Sequence, residues 1–186
     1  MEVRIMKSKI LIYGFVALLI LLAFSIAPVA AKKPVEPGKP EMTGVLKLVQ
    51  KNETDWSVVD GGAHGNFNGA LFKSKIIFNA EGLAPKTSYA LISYKEPWNG
   101  VGSIVIATGK SSAAGKLQIK GVDLKNKLVY NDYTGYTTGD YIDVKGAKVW
   151  LVPISDLSAT VIGGETSFIA WNPSTYLFET RLIPQP

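Results

Sequence analysis

One stretch in the second half of the chain concentrates side chains that bind ligands. Residues 131–148 read NDYTGYTTGDYIDVKGAK and are called the tyrosine loop below. Tyr133, Tyr136 and Tyr141 offer flat faces that stack on sugars or on a partner protein. A connection of this length between two predicted strands is typical of a functional or disordered loop and not of a tight turn. The alternative is a loop that packs on its own side chains over the end of the fold.

The tyrosine loop also carries carboxylates that suit a hard cation. Asp132, Asp140 and Asp143 offer the oxygen ligands that calcium prefers, but their spacing matches neither an EF-hand nor a repeat-type calcium loop. We therefore expect no cofactor and keep calcium as a secondary hypothesis. Trp98 is a further binding candidate, because it lies in the turn KEPWNGVG, where few strand neighbours can bury it. The alternative for Trp98 is a ring that folds back over the end of the sandwich.

Composition excludes several kinds of catalytic site. The chain has no cysteine and a single histidine, His64, so thiol nucleophiles, thiolate metal sites and sites of several imidazoles are excluded. His64 lies in DGGAHGNFNG, which is typical of a turn and does not resemble a nucleophile elbow. Paired carboxylates are the remaining catalytic device. The candidates are Asp132, Asp140, Asp143, Glu165 and Glu179, and the sequence gives no reason to choose a pair.

The N-terminus predicts export. Residues 1–31 join a basic flank to an uncharged apolar run, predicted to be helical, that ends in small residues after Pro28. This is the pattern of a secretory signal peptide. An uncleaved anchor is the alternative, because the run approaches the roughly 20 residues that span a bilayer. Residues 32–40 form a Pro- and Lys-rich linker, and residues 41–186 form one domain of common size. We expect an extracellular or cell-surface protein that meets a membrane only through its N-terminal segment.

Charge gives no sign of nucleic-acid binding. The net charge is +5, the lysines are dispersed, and no arginine lies between Arg4 and Arg181, so no basic patch is visible. The expected partners are envelope glycans or extracellular proteins. Asn52 begins NET, a glycosylation acceptor in a predicted turn, which is consistent with export.

Apolar residues of the domain alternate with period two, which predicts strands. In LFKSKIIFNA, Phe72, Ile76, Phe78 and Ala80 share one face. Residues 102–121 predict a β-hairpin, and GAKVWLVP predicts a strand ended by proline. No segment after residue 31 shows a sustained helical stripe. We predict an all-β domain, an antiparallel Ig/fibronectin III-like sandwich of eight to ten strands.

The segment EGLAPKTSYALISY carries a local signature. Leu83, Pro85 and Tyr89 have the spacing L-x-P-x-x-x-Y. This resembles the tyrosine corner that precedes strand F in fibronectin type III domains, and implies that the Tyr89 hydroxyl bonds to the chain upstream while its ring fills the core. We take it as an indication of a corner between two sheets.

A longer resemblance covers most of the domain. The blocks DWSVVDGGAHG, GLAPKTSYALISY, AKVWLVP and AWNPSTYLFET occur in this order. They resemble a group of uncharacterised exported proteins of archaea, notably methanogens. The resemblance implies a secreted or surface-displayed β-domain and carries no catalytic residue with it.

These observations predict a binding function. We expect a non-catalytic module that binds a glycan, an envelope component or a protein through loops at one end of the sandwich. The alternative is a small extracellular carbohydrate-active hydrolase that uses paired carboxylates. Trp56, Trp150 and Trp171 lie in or beside apolar blocks and are predicted to fill the core with their indole N–H groups hydrogen-bonded.

Overall fold

The computed structural model describes residues 46–69, 76–96, 100–133 and 144–185. These residues form strands and two short 3-10 helices, Ile154–Asp156 and Pro173–Thr175. The strands, in chain order, are β1 Lys47–Val49, β2 His64–Asn68, β3 Ile76–Glu81, β4 Ser88–Tyr94, β5 Ser103–Lys110, β6 Leu117–Val122, β7 Asn131–Tyr133, β8 Val144–Pro153, β9 Glu165–Thr166, β10 Phe178–Glu179 and β11 Ile183–Pro184. Within these ranges, no helix is long and apolar enough to cross a membrane.

Two antiparallel sheets pack together, which confirms the predicted all-β architecture. One sheet has the strand order β10-β1-β2-β3-β6. The other has the order β11-β8-β4-β5-β9, with β7 also paired to β8. The described residues thus contain eleven strands, more than the eight to ten expected. The surplus arises because β9, β10 and β11 have two residues each and are too short for alternation to show.

The main core lies between the two sheets. Ile76, Phe78 and Ala80 of β3 are buried, which confirms the alternation predicted for this strand. Val149 and Leu151 of β8 join the same apolar cluster from the opposite sheet. Phe72, predicted for the same face of β3, lies outside the described residues.

The chain crosses from one sheet to the other between β3 and β4, at the predicted tyrosine corner. The Tyr89 ring is buried, and its hydroxyl oxygen accepts a hydrogen bond from the Ala84 amide at 3.2 Å. Burial raises the pKa of the Tyr89 hydroxyl. Gly115 lies against this corner, and its carbonyl oxygen accepts a hydrogen bond from the Leu83 amide at 3.1 Å. A side chain at Gly115 would approach the Leu83 carbonyl oxygen to 2.4 Å, at a φ of +69°.

The hairpin predicted over 102–121 is wrong. β5 pairs with β4 and β9, whereas β6 pairs with β3 in the other sheet. The connection is held at the tyrosine corner by Ser111, whose hydroxyl donates to the Ala84 carbonyl at 2.6 Å and accepts from the Thr87 amide at 2.9 Å. Alternation therefore predicted which face of each strand is buried, but not which strand lies beside it.

A second core covers the outer face of the β8-β4-β5 sheet. Alternate residues of β4 and β8, among them Ile92, Trp150 and Val152, pack there against Tyr176 and Phe178. Because its residues also face the main core, β4 is buried on both sides. We call this cluster the second core.

The segment over the second core is fixed by a buried carboxylate. Asp156 is 5% exposed. Its Oδ2 accepts hydrogen bonds from the Tyr176 hydroxyl at 2.7 Å and the Asn172 side-chain amide at 3.0 Å. These bonds tie the first 3-10 helix to the segment that leads into β10.

Candidate functional site: an aromatic cavity beside the second core

A cavity of about 430 Å³ opens beside the second core. It is lined by aromatic rings and by charged groups of both signs. The aromatic side chains are Trp56, Tyr94, Trp150, Trp171 and Phe178, and the charged ones are Lys51, Glu96, Lys148 and Glu179. We call it the aromatic cavity.

Two neighbouring strands supply one wall. Side chains two residues apart on a strand share a face, so Lys148 and Trp150 of β8 both lie on the outer face of the sheet. On β4, Tyr94 pairs in register with Lys148. The Tyr94 ring stacks on Trp150 with centroids 3.8 Å apart and planes 12° from parallel. Burial, followed by the nearby Glu96 carboxylate, raises the pKa of Tyr94.

The opposite wall comes from the C-terminal segment and from the turn after β1. The Phe178 ring meets Trp150 nearly edge-on at 5.0 Å. Trp56 meets Phe178 edge-on at 5.2 Å and lies 6.5 Å from Trp171. Four segments, the turn after β1, β4, β8 and the C-terminal segment, thus converge on one group of rings.

Trp56 does not fill the core, so that prediction is wrong. Its side chain is 48% exposed, and its backbone has φ +60°, which is rare for a bulky residue. The surrounding turn holds it there, since the Trp56 amide donates to the Asn52 carbonyl at 2.9 Å. Strained backbone of this kind concentrates at functional sites. Trp150 behaves as predicted, because it is 6% exposed with its indole N–H bonded.

Glu179 is the buried carboxylate of the aromatic cavity. It is 6% exposed, and its Oε2 accepts a hydrogen bond from Trp150 Nε1 at 2.5 Å. Its Oε1 accepts no hydrogen bond from another described residue. Burial raises the pKa of Glu179 to about 7, against the opposing effects of a hydrogen bond from its own backbone amide and of the Lys148 and Lys51 charges. An acid in this environment is partly protonated near neutral pH.

The remaining charges lie nearer to solvent. Glu96 Oε1 lies 2.7 Å from Lys148 Nζ, an ion pair whose glutamate side chain is 39% exposed. Lys51 Nζ lies 5.9 Å from the centroid of the Phe178 ring. The aromatic cavity therefore offers both hydrogen-bond donors and acceptors around its rings.

Most of the predicted binding residues fall outside the described part of the chain. These are Trp98, Tyr136, Tyr141, Asp140 and Asp143. Their binding and calcium-binding roles remain predictions.

The described start of the tyrosine loop is β7. It contains Asp132, which is exposed, and the backbone of Tyr133. Just before it, Tyr130 packs against the main core, and burial raises its pKa. Among the described residues, no three histidine, aspartate or glutamate side chains are grouped so as to hold a metal ion.

Asn52 and His64 both lie on the surface, but His64 is in a strand and not in the predicted turn. Asn52 is exposed in a turn, and its side-chain Oδ1 accepts a hydrogen bond from the Thr54 amide at 2.8 Å. His64 begins β2, with its Nε2 3.1 Å from Glu81 Oε1. The His64–Glu81 pair borders a groove on the β2-β3-β6 sheet. The groove is lined mainly by polar residues, unlike the aromatic cavity.

Sequence reasoning missed most of the aromatic cavity. Of the carboxylates proposed for a catalytic pair, Glu179 lines the aromatic cavity; the other carboxylate there is Glu96, which was not proposed. One signal was present, because Glu179 is an acidic residue that directly follows the apolar block YLF. Nothing local connects Trp56 to Trp171, since their proximity depends on the tertiary fold.

Comparisons of the chain with protein-family models, with curated proteins and with solved structures found no match.

Proposed function

We propose that the protein is a secreted or cell-surface β-sandwich module that binds a glycan in the aromatic cavity. The observation that carries this proposal is the convergence of five aromatic rings and four charged side chains on one cavity. Its volume of about 430 Å³ lies within the usual range for small-molecule sites, which is about 300–1,000 Å³.

The chemistry of the lining suits a sugar. The C–H face of a sugar ring is apolar and stacks on an aromatic ring, while its hydroxyl groups require donors and acceptors at the edge. Trp56 offers an exposed ring, and Glu96 and Lys148 offer an acceptor and a donor beside it. A purely hydrophobic ligand would remove the Glu96–Lys148 ion pair from water without adding a hydrogen bond to either group.

Export and the subtype of the sandwich belong to the same proposal. The predicted signal peptide, the N-terminal apolar helix and the resemblance to exported archaeal proteins favour a location where envelope glycans occur. Strand pairing supports an Ig/fibronectin III-like subtype. β3 pairs with β6, β4 with β5 and β8, and β8 with β11, which corresponds to strands B–E and C′–C–F–G of that fold. In this assignment Tyr89 lies at the start of strand C, so its corner is not the one that precedes strand F.

The test is retention of the full-length protein on an oligosaccharide array. The decisive variant is Trp56→Asn, because asparagine tolerates positive φ better than tryptophan. We expect it to lose binding at least tenfold while its melting temperature stays unchanged or rises. Val161→Asn is the matched control, since Val161 is 73% exposed and does not line the aromatic cavity.

Two results would contradict the proposal. One is unchanged retention of Trp56→Asn on the glycans that hold the parent protein. The other is an array that retains neither the parent nor Val161→Asn.

A further inference from the structure

Two carboxylates in contrasting surroundings line the aromatic cavity. Glu179 is enclosed among Trp150, Phe178 and the strand β10 that carries it. Glu96 lies at the end of β4, partly exposed and paired with Lys148. Carboxylates whose surroundings favour opposite protonation states are the recurrent acid and base of glycoside hydrolysis.

The surroundings of Glu179 suit the acid. It carries a hydrogen bond on Oε2 from Trp150, and its Oε1 is left without one from another described residue. A carboxyl group enclosed by apolar rings keeps its proton to higher pH, and the pKa of Glu179 is raised by burial to about 7. Because Glu179 lines the aromatic cavity, its carboxyl group is placed to give a proton to a ligand there.

The surroundings of Glu96 suit the base. Its carboxylate forms an ion pair with the Lys148 ammonium group at 2.7 Å. Glu96 is more exposed than Glu179, so water can reach its carboxylate. Glycoside hydrolysis consumes one water molecule. The charged groups that face Glu179 are Lys51 after β1, Lys148 on β8 and Glu96 after β4.

We infer that the protein hydrolyses a glycosidic bond of the glycan that it binds, with Glu179 as general acid and Glu96 as general base. This inference rests on the proposed function. Glu179 gives its proton to the glycosidic oxygen, and the bond from that oxygen to the anomeric carbon breaks with its electron pair on oxygen. Glu96 takes a proton from water while the water oxygen bonds to the anomeric carbon. Solvent then returns the proton from Glu96 to Glu179, so the overall reaction adds one water across one bond.

The experiment measures new reducing ends released from hexose, N-acetylhexosamine and uronic acid oligosaccharides, with retention on the same panel measured in parallel. Reaction in ¹⁸O-labelled water tests whether the water oxygen becomes bonded to the anomeric carbon. We expect Glu179→Gln and Glu96→Gln each to lower the rate at least about 100-fold. Glu179→Gln should keep its affinity, and the parent rate should fall above about pH 7 as Glu179 loses its proton. Glu165→Gln is the control, because Glu165 is exposed on β9 outside the cavity and its substitution should leave the rate unchanged.

Each outcome decides between the two proposals. Retention of an oligosaccharide without release of reducing ends overturns hydrolysis and leaves glycan binding intact. Hydrolysis that survives in folded Glu179→Gln also overturns the assignment. Neither retention nor hydrolysis on the whole panel overturns both proposals.

Discussion

Replacing Glu179 with glutamine should make the protein more stable at neutral and alkaline pH. Burial raises the pKa of Glu179 from 4.5 to about 7, so the folded chain holds this proton more tightly than the unfolded chain. The stabilisation from the proton is complete below pH 4.5 and is lost as the pH rises through about 7. At about 1.4 kcal/mol per pH unit, the loss amounts to about 3 kcal/mol. Glutamine carries no charge, and its amide oxygen can still accept from Trp150.

Urea denaturation of the parent and of Glu179→Gln, between about pH 4 and about pH 8.5, measures this effect. All other titrating groups are common to the two proteins, so the difference in unfolding free energy isolates Glu179. We expect the variant to gain about 3 kcal/mol relative to the parent across this range. Parallel stability profiles, or a gain confined to acid pH, would refute the account of Glu179 as a buried acid.

Three further predictions concern the fold and the alternative site. Tyr89→Phe leaves the Ala84 amide without its acceptor and should lower the unfolding free energy by about 1 to 2 kcal/mol, measured by urea denaturation. Gly115→Ala should destabilise more than Gly121→Ala: both have positive φ, which costs about 1–2 kcal/mol, but only at Gly115 does an added carbon meet the Leu83 carbonyl. Equal denaturation midpoints would contradict that reasoning. Serine at all three candidate tyrosines of the tyrosine loop should leave glycan retention unchanged, and loss of retention would place the site in that loop.

Local patterns predicted the strands but not their arrangement. Alternation in IIFNA marked the buried face of β3, and the L-x-P-x-x-x-Y spacing marked the corner at Tyr89. These features depend on neighbouring residues, so they can be read from a short stretch. β5 pairs with β4 and β9, and Ser111, just after β5, hydrogen-bonds to Ala84 at the tyrosine corner. The predicted hairpin therefore failed where pairing and hydrogen bonds join residues that are distant in sequence.

The same distinction applies to the site. Lys148 and Trp150 share a face because they are two residues apart on β8, which alternation predicts. The position of Trp56 depends on a left-handed backbone conformation within its turn, and tryptophan gives no sequence signal for that conformation. The raised pKa of Glu179 depends on burial by residues from several segments. Sequence reasoning therefore identified ligand-binding residue types without finding where they converge.

The central claim, that a glycan binds in the aromatic cavity, is tested most directly by the indole N–H resonances of the tryptophans. The chain has four tryptophans, and Trp56, Trp150 and Trp171 line the cavity. A ¹H–¹⁵N spectrum is recorded while an oligosaccharide retained on the array is titrated into the protein. We predict that the resonances of these three tryptophans shift together and report one dissociation constant, with Trp150 sensitive through its bond to Glu179. Saturable binding of the oligosaccharide with all three resonances unmoved would contradict the claim.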